Sequence, residues 1–432
     1  MITKLKVKNF KALRDIEVKL TPIHVLIGPN DSGKTSILDA LAALCRSVDH
    51  DLAEAFLGSW KGTELVWTGQ RGLPVTIEVD FADDAITGYA VDVFFAERGR
   101  LAVAERELIR TRDAESELRR EDGMTNAKHQ LDHPSASNLF SDELRLVRDL
   151  LGGVHYYRWD PAFLALPVAP DSKRRFRMES NGFGLALCLD EILSFDRDRF
   201  IQLERRFTEV FPHITSIKLI PEMGYRAPVD NPDRVTMLQK ADGKGLYFKL
   251  STADQLVPAS QASDGTLLVL AYLAILYLPK PPRVLLVEEP ENGVHPKRLR
   301  DVLGVLRELV HEQSHTQIVL TTHSPYVLDL FKPEEVTLCT MQSNGEVKTT
   351  RLSESPTVRR QIDVFTVGTQ PDPETIRDPK GVCAGLLVSG QSQMAQSEMY
   401  TRIAHRIDID ILSSRCPRGF RPFAGYVRQV FG

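Results

Sequence analysis

Cysteine is scarce in this sequence, and no two cysteines form a Cys-x-x-Cys pair. The 432 residues contain five, spread over the chain: Cys45, Cys188, Cys339, Cys383 and Cys416. Such spacing disfavours a disulfide framework or a zinc site and is typical of unpaired thiols in a reducing cytosol. We therefore expect buried, structural cysteines in a cytoplasmic protein.

Long hydrophobic runs and a strong charge of one sign are also missing. The most apolar run, Leu267 to Leu278, is shorter than the ~20 residues of a membrane-spanning helix. The N-terminus, "MITKLKVKNF", carries charges where a signal peptide is apolar. A net charge of −4 argues against a wholly basic nucleic-acid coat and leaves a local basic patch open. We expect two or three globular domains, no membrane partner, and a buried helix for the apolar run.

The stretch "GPNDSGKT", from Gly28 to Thr35, has the spacing G-x-x-x-x-G-K-[ST]. A buried strand is predicted before it, at His24 to Ile27, and a helix after Lys34. This arrangement surrounds phosphate oxygens with backbone N–H groups and a helix N-terminus. We expect Lys34 to bind the β- and γ-phosphates and the Thr35 hydroxyl to bind Mg²⁺. The predicted nucleotide-binding residues of this loop are Gly28, Asn30, Asp31, Ser32, Gly33, Lys34, Thr35 and Ser36.

Two glutamates end another predicted strand about 250 residues later. The continuous apolar run from Val284 to Val287 is typical of a parallel strand that is buried on both faces. Glu288 and Glu289 follow it. Phosphoryl transfer needs one acid that holds Mg²⁺, for which we predict Glu288, and one that orients and deprotonates water, for which we predict Glu289. A strand that ends in solvated glutamates is the alternative.

Two further positions are candidates for contacts with phosphate. His323 follows the predicted strand "TQIVLTT", where an imidazole can reach a γ-phosphate or the attacking water, although a structural histidine is the alternative. Ser263, Gly265 and Thr266 lie at the predicted start of the apolar helix, where N–H groups and hydroxyls are free to bind an anion. Because the first loop already binds phosphate, we expect this second site to serve the nucleotide of another subunit. A local helix cap formed by Ser263 or Asp264 is the alternative.

These stretches, in this order and after an N-terminal "K-x-K-N-F" hairpin, resemble the ABC-type ATPases and, among them, the RecF-like, AAA-domain branch that includes the overcoming-lysogenization-defect (OLD) proteins. The resemblance covers about residues 1–50 and 250–355. It implies an α/β fold: a P-loop NTPase head of the ABC type, with a mixed sheet flanked by helices, a helical insertion and a small C-terminal α/β segment. It also implies ATP and Mg²⁺ as cofactors, catalytic roles for Glu288, Glu289 and His323, and a homodimer in which Ser263 to Thr266 form the signature motif.

The resemblance further implies a division of the chain. The expected parts are residues 1–105 and 251–355 as the two halves of the head, 106–250 as a helical lid, and 380–432 as a Toprim-like remnant or small packing domain. Within the lid, we predict a solvated helix over 104–122 and amphipathic helices over 141–153 and 189–212.

Not every position follows the family pattern. The stretch from Asn292 to His295 falls on the D-loop, but Glu288 stands where ABC heads usually carry aspartate. No Q-loop glutamine can be placed, Gln70 being a candidate only because it lies in a loop. In the C-terminal stretch, Ser389 and Gln393 occupy the positions of two acids that a Toprim nuclease needs to hold Mg²⁺.

The expected function is that of an ATP-binding and ATP-hydrolysing enzyme that works as an ATP-sandwiched dimer in a DNA-associated process, either repair or phage defence. DNA and a partner nuclease or effector protein are further expected partners, and the basic stretch "SKRRFR" at 172–177 is open to phosphate binding or to a solvated surface. The alternatives are an OLD-type ATP-dependent endonuclease with a degenerate or truncated Toprim part, and a nucleotide-gated scaffold that binds ATP without turnover.

Overall fold

The computed structural model describes residues 1–48, 50, 52–57, 64–68, 70, 72–95, 102–119, 141–171, 176–226, 238–251, 255–292, 294, 296–312, 316–324, 327 and 330–355. Three sheets and seven α-helices are found in this part of the chain. Elements are numbered in chain order. The helices are α1 Lys34–Arg46, α2 Ser141–Leu151, α3 Pro161–Leu164, α4 Leu185–Phe195, α5 Arg197–Val210, α6 Asp264–Leu276 and α7 Pro296–Glu312.

The main sheet is mixed and brings together strands from distant parts of the sequence. Its six strands have the order β15-β14-β3-β13-β12-β8, in which the last five run parallel and β15 is antiparallel to β14. Their bounds are β3 Ile23–Ile27, β8 Val154–Tyr157, β12 Val284–Glu288, β13 Gln317–Thr322, β14 Val336–Met341 and β15 Val347–Arg351.

The main sheet has a hydrophobic core on each face. Val25 belongs to the core formed with α4 to α7, whereas the next residue, Leu26, belongs to the core formed with α1 and a second sheet. Every residue of β3, β12 and β13 is buried, which explains their continuous apolar sequences. The α/β fold with a mixed sheet flanked by helices is the fold that the sequence predicts.

The second sheet is antiparallel, with the strand order β2-β1-β4-β5-β6-β7. Buried residues alternate with half-buried ones along β4 and with half-buried or exposed ones along most of β1, because one face of this sheet packs on α1 and the other is partly open to solvent. The bounds are β1 Ile2–Phe10, β2 Leu13–Lys19, β4 Val75–Phe81, β5 Ile86–Phe95, β6 Ala102–Thr111 and β7 Glu115–Arg119.

The third sheet joins β9 Ile214–Arg226, β10 Gln239–Leu250 and β11 Leu256–Pro258 in the order β11-β10-β9. Short helical turns complete the described elements: a π-helical turn at Ala53–Leu57 and 3₁₀ turns at Ala259–Gln261, Pro333–Glu335 and Leu352–Glu354. No helix among the described residues combines the length and the apolar character that crossing a membrane requires.

The predicted solvated helix over 104–122 is wrong. Its described residues form β6 and β7, which pair with each other in antiparallel fashion. The charges that suggested a solvated helix are matched across strands instead, since the Arg110 guanidinium lies 2.6 Å from carboxylate oxygens of both Glu78 and Asp80 on β4. A β-strand therefore accounts for the mixture of charged and apolar residues.

The prediction of a helical lid over 106–250 needs a corresponding correction. This segment supplies α2, α4 and α5 at the predicted places, but it also supplies β8 of the main sheet and the long β9–β10 hairpin. The predicted helical run over 189–212 is divided at Asp196, whose side chain accepts hydrogen bonds from the first turn of α5. The boundaries of the expected parts remain predictions.

Cys45, Cys188 and Cys339 are buried and form no disulfide bond among the described residues, in agreement with the sequence. Cys383 and Cys416 lie outside the described residues. So does the whole expected segment 380–432, with Ser389 and Gln393, and so do residues 172–175 of the basic stretch.

Candidate functional site

The loop from Gly28 to Gly33 joins β3 to α1 at the carboxyl edge of the main sheet. Lys34 is the first residue of α1, and β3 is flanked by β13 and β14, so the loop leaves the middle of the sheet. The strand, loop and helix thus have the predicted order. Asn30, Asp31 and Thr35 are exposed, Ser36 is half-buried, and Ser32 and Lys34 are buried.

Two glycines are required by the packing of this loop. A Cβ atom on Gly28 would lie 2.2 Å from the backbone oxygen of Cys339 on β14. Gly33 has a φ of 84°, in the left-handed region, and a Cβ atom there would lie 2.5 Å from the Val347 side chain. The neighbouring strands β14 and β15 therefore restrict these two positions to glycine, whether or not a ligand is bound in the loop.

The polar groups inside the loop suit a phosphate. Lys34 Nζ donates to the backbone oxygens of Gly28, at 2.9 Å, and Pro29, at 2.8 Å, so the ammonium group is held at the loop itself. Ser32 Oγ is buried and has no hydrogen-bond partner among the described residues. A buried hydroxyl without a partner is unfavourable, and an anionic oxygen in the loop would satisfy it. The residues present therefore fit a nucleotide phosphate.

Glu288 ends β12, and its side chain is 5% exposed. The Tyr156 hydroxyl donates to its Oε1 at 2.8 Å, and Arg158 Nε lies 3.4 Å from its Oε2. Both partners come from β8 and the residue just after it, because β8 runs parallel to β12 at the edge of the sheet. No local pattern in the sequence points to Tyr156 and Arg158 as residues of this site.

Glu289 follows directly and turns the chain away from the strand. Its φ of 44° is in the left-handed region, which is uncommon for a residue other than glycine. Its backbone N–H donates to the backbone oxygen of Thr321 at 3.0 Å, which fixes it against β13. Its Oε2 accepts from Asn292 Nδ2 at 2.7 Å, and its Oε1 lies 3.4 Å from His323 Nδ1. The structure thus brings Glu289 and His323 together.

Glu291 is a third acid at this edge, and it was not among the residues predicted from the sequence. Its side chain is 8% exposed, and its Oε1 accepts from the Thr322 hydroxyl at 2.5 Å and from the His323 backbone N–H at 3.1 Å. Its Oε2 is buried with no hydrogen-bond partner in the described part of the chain. The spacing of three residues from Glu288 in "EEPE" was the available signal.

The parallel strands β3, β12 and β13 are neighbours, so the segments after them share one edge of the sheet. At that edge burial lowers the pKa of the Lys34 ammonium, and the negative charges of Glu289, Glu291 and Glu288 act in the opposite direction. Lysine and carboxylates therefore lie within electrostatic reach of one another. This is the arrangement in which phosphate oxygens, a divalent cation and a general base are placed together.

The start of α6 forms a separate feature. Ser263 Oγ accepts from the Thr266 backbone N–H at 3.2 Å and lies 2.7 Å from the Thr266 hydroxyl, so the local helix cap described above as an alternative is present. Ser263 and Asp264 are exposed, whereas Gly265 and Thr266 are buried. Only the cap residue and the first residue of α6 are accordingly open to solvent.

Two remaining candidates are placed only in part. Gln70 has a structural role through its backbone oxygen, which accepts from Asn9 Nδ2 at 3.2 Å in the second sheet. Asn292 is exposed and bound to Glu289, while Gly293 and His295 of the same stretch lie outside the described residues.

Comparison with known proteins gives a short sequence match and structural matches that include two SMC head domains. A stretch of 41 residues is 49% identical to the OLD nuclease of Thermus scotoductus, which is 10% of this chain and 8% of that protein. The Smc head domain of Pyrococcus furiosus, solved with an extended coiled coil and bound to the C-terminal domain of ScpA, has a TM-score of 0.47 at 13% identity, over 84% of this chain and 99% of that one. The SMC head domain of Thermotoga maritima has a TM-score of 0.41 at 14% identity, over 81% and 98%.

A protein family matches a much larger part of the sequence. Residues 23–329 match the family described as "AAA domain, putative AbiEii toxin, Type IV TA system". The match begins at β3, contains the Gly28 to Thr35 loop and Glu288, and ends after His323. The chain belongs to this AAA-domain family of P-loop ATPases.

Proposed function

We propose that this protein binds ATP with Mg²⁺ and hydrolyses it to ADP and phosphate. The observation that carries the proposal is the convergence of Lys34, Glu289 and His323 at the carboxyl edge of one parallel sheet, where Glu289 Oε1 lies 3.4 Å from His323 Nδ1. Family membership supports the same assignment.

Binding depends on the loop between β3 and α1. The Lys34 ammonium, now on the oxygens of Gly28 and Pro29, moves a short distance to the β- and γ-phosphates, and the Ser32 hydroxyl gains the partner that it lacks among the described residues. The N-terminus of α1 adds its backbone N–H groups. Thr35 and Glu288 would hold Mg²⁺, which neutralises charge on the phosphates when bound.

Hydrolysis depends on Glu289 as general base. The left-handed backbone of Glu289 and the hydrogen bond from its N–H to Thr321 fix the position of its Cα atom. Asn292 contacts one oxygen of its carboxylate and His323 the other. Deprotonation of water by a positioned carboxylate typically contributes about 10²–10⁴-fold to the rate. His323 orients Glu289 and contacts the γ-phosphate.

We further propose that the working unit is a homodimer that closes over two ATP molecules. The exposed residues at the start of α6, Ser263 and Asp264, then lie at the nucleotide of the other subunit, where a helix N-terminus favours an anion. The same residue that caps the helix within one subunit would lie at the interface. The output is a DNA-associated process, for which the short match to the OLD nuclease and the resemblance of the motifs are the support.

The deciding experiment measures the mass of Glu289→Gln by light scattering, with and without ATP and Mg²⁺, together with phosphate release by the wild type. A variant that dimerises only with ATP, beside a wild type that turns ATP over, would support both proposals. Ser263→Arg in the Glu289→Gln background is the matched control, since it should bind ATP and remain monomeric. If the mass of Glu289→Gln does not change with ATP and the wild type releases no phosphate, both proposals fail, and the remaining alternative is a nucleotide-binding scaffold. Phosphate release that increases with added DNA would support the DNA-associated output.

A further inference from the structure

The buried carboxylate of Glu288 already has two partners from β8. Its side chain is 5% exposed, and a carboxylate so far from water needs compensation by hydrogen bonds or an opposite charge. The neutral Tyr156 hydroxyl donates to Oε1 at 2.8 Å, and the cationic Arg158 lies at Oε2 with its Nε at 3.4 Å. The two oxygens therefore differ in what they bind.

The two partners also differ in how firmly they are held. Tyr156 is half-buried in the main sheet, whereas the Arg158 side chain is 76% exposed. The backbone of Arg158 is fixed, since its N–H donates to the Ser180 oxygen at 2.8 Å. Only the arginine end of this ion pair is exposed, and water there screens its charge, so the guanidinium can leave Oε2 by rotation of its side chain alone.

We propose that Arg158 is the counter-ion of Glu288 in the absence of metal and that Mg²⁺ replaces it. The inference rests on the proposed function, in which Glu288 holds Mg²⁺. Two cations on one carboxylate oxygen repel each other, so arginine and metal compete for Oε2. Tyr156 stays on Oε1 in both states and orients the carboxylate. Arg158 is thus a positioning residue that sets the Mg²⁺ concentration at which nucleotide is bound.

The test is a Mg²⁺ titration of the binding of a fluorescent ATP analogue, a readout that does not depend on turnover. Removing the competing charge in Arg158→Gln should lower the Mg²⁺ midpoint by about two- to fivefold, because the pair that Mg²⁺ displaces is screened by water at its arginine end. Arg158→Lys, which keeps the charge, should retain a midpoint close to that of the wild type. Arg205→Gln is the matched control, because Arg205 is 81% exposed and pairs with Glu209 at 3.4 Å.

A second measurement separates competition at Glu288 from a general effect of charge. In a Glu288→Gln background, Arg158→Gln should no longer shift the midpoint, because the carboxylate for which the cations compete is gone. The inference is overturned if Arg158→Gln still shifts the Mg²⁺ midpoint in the Glu288→Gln background, or if Arg158→Gln alone has the midpoint of the wild type. Neither result contradicts ATP binding. A wild type that binds no nucleotide at any Mg²⁺ concentration overturns the proposed function as well.

Discussion

His323 Nδ1 lies 3.4 Å from Oε1 of Glu289. The proposed base and the histidine are thus paired before a nucleotide binds, and they should act as one unit. Glu289→Gln should lower the rate of phosphate release by about 10²–10⁴-fold. Adding His323→Asn to that variant should then cost little more, because effects of residues that work together are not additive. Single-turnover phosphate release in the two single variants and the double variant measures this. Multiplicative losses would contradict it.

Glu291 is expected to hold the end of β13. Glu291→Ala leaves the Thr322 hydroxyl and the His323 N–H without their acceptor, and loss of a buried partner typically costs about 1–3 kcal/mol. Glu291→Gln keeps a carbonyl oxygen and should lose less. Urea denaturation measures the free energy of unfolding of both variants. The exposed Glu334→Ala is the control, expected within about 0.5 kcal/mol of the wild type. Equal stability of Glu291→Ala and wild type would argue against this role.

Substitution by alanine should destabilise the protein at Gly28 and stabilise it at Gly304. A Cβ atom on Gly28 meets the Cys339 backbone oxygen at 2.2 Å, which no side-chain rotation can relieve, so Gly28→Ala should unfold more easily and bind ATP less well. Gly304 lies in α7 and a Cβ atom there has nothing within 4 Å. Gly304→Ala should therefore stabilise the protein by about 0.5–1 kcal/mol, the helix-propensity difference. Thermal unfolding of the two variants compares them directly.

His24 should make the protein sensitive to acid. It is fully buried in β3, hydrogen-bonded to Thr21 and Thr337, and burial, with the charge of Arg351, lowers its pKa from 6.5 to about 3. Between these values the unfolded chain takes up a proton that the folded protein does not. Stability is therefore lost as the pH falls from about 6.5 towards 3, by at most about 1.4 kcal/mol per pH unit.

The measurement for His24 is urea unfolding at several pH values between 6.5 and 4.5. The slope of the free energy of unfolding against pH should be smaller in His24→Gln than in the wild type. His213→Gln, at an exposed position, is the control and should keep the wild-type slope. Parallel slopes for wild type and His24→Gln would exclude His24 as a source of acid sensitivity.

The sequence predicts those parts of the site that are marked by a pattern of neighbouring residues. β3, β12 and β13 are runs of apolar residues because both of their faces are buried, and each is followed at once by a polar residue of the site. Tyr156 and Arg158 could not be found in this way. They belong to β8, an edge strand of four residues that is mostly half-buried, and only its pairing with β12 brings them to Glu288.

The wrong predictions of a helix over 104–122 and of a wholly helical lid have a related cause. The stretch over 104–122 has charges on every side when drawn as a helix, yet Arg110 is matched with Glu78 and Asp80, about 30 residues away in sequence. Charge pairing across strands is long-range, and a single sequence read in local windows cannot reveal it. The helical lid was overestimated for the same reason.

The main sheet joins strands from distant parts of the sequence, and this constrains when it can fold during translation. Ile2 N–H donates to Gln317 Oε1, 315 residues later, and β3 pairs with β13 and β14, which are near the end of the described chain. At ordinary rates of translation the ribosome needs roughly 15 to 60 seconds to cover that distance. During this time β3 emerges without the two strands that pair with its edges, while the antiparallel pairing of β1 with β2 and β4 is already available. We therefore expect the nucleotide loop to become ordered late in synthesis, and the nascent chain to need protection from aggregation until then.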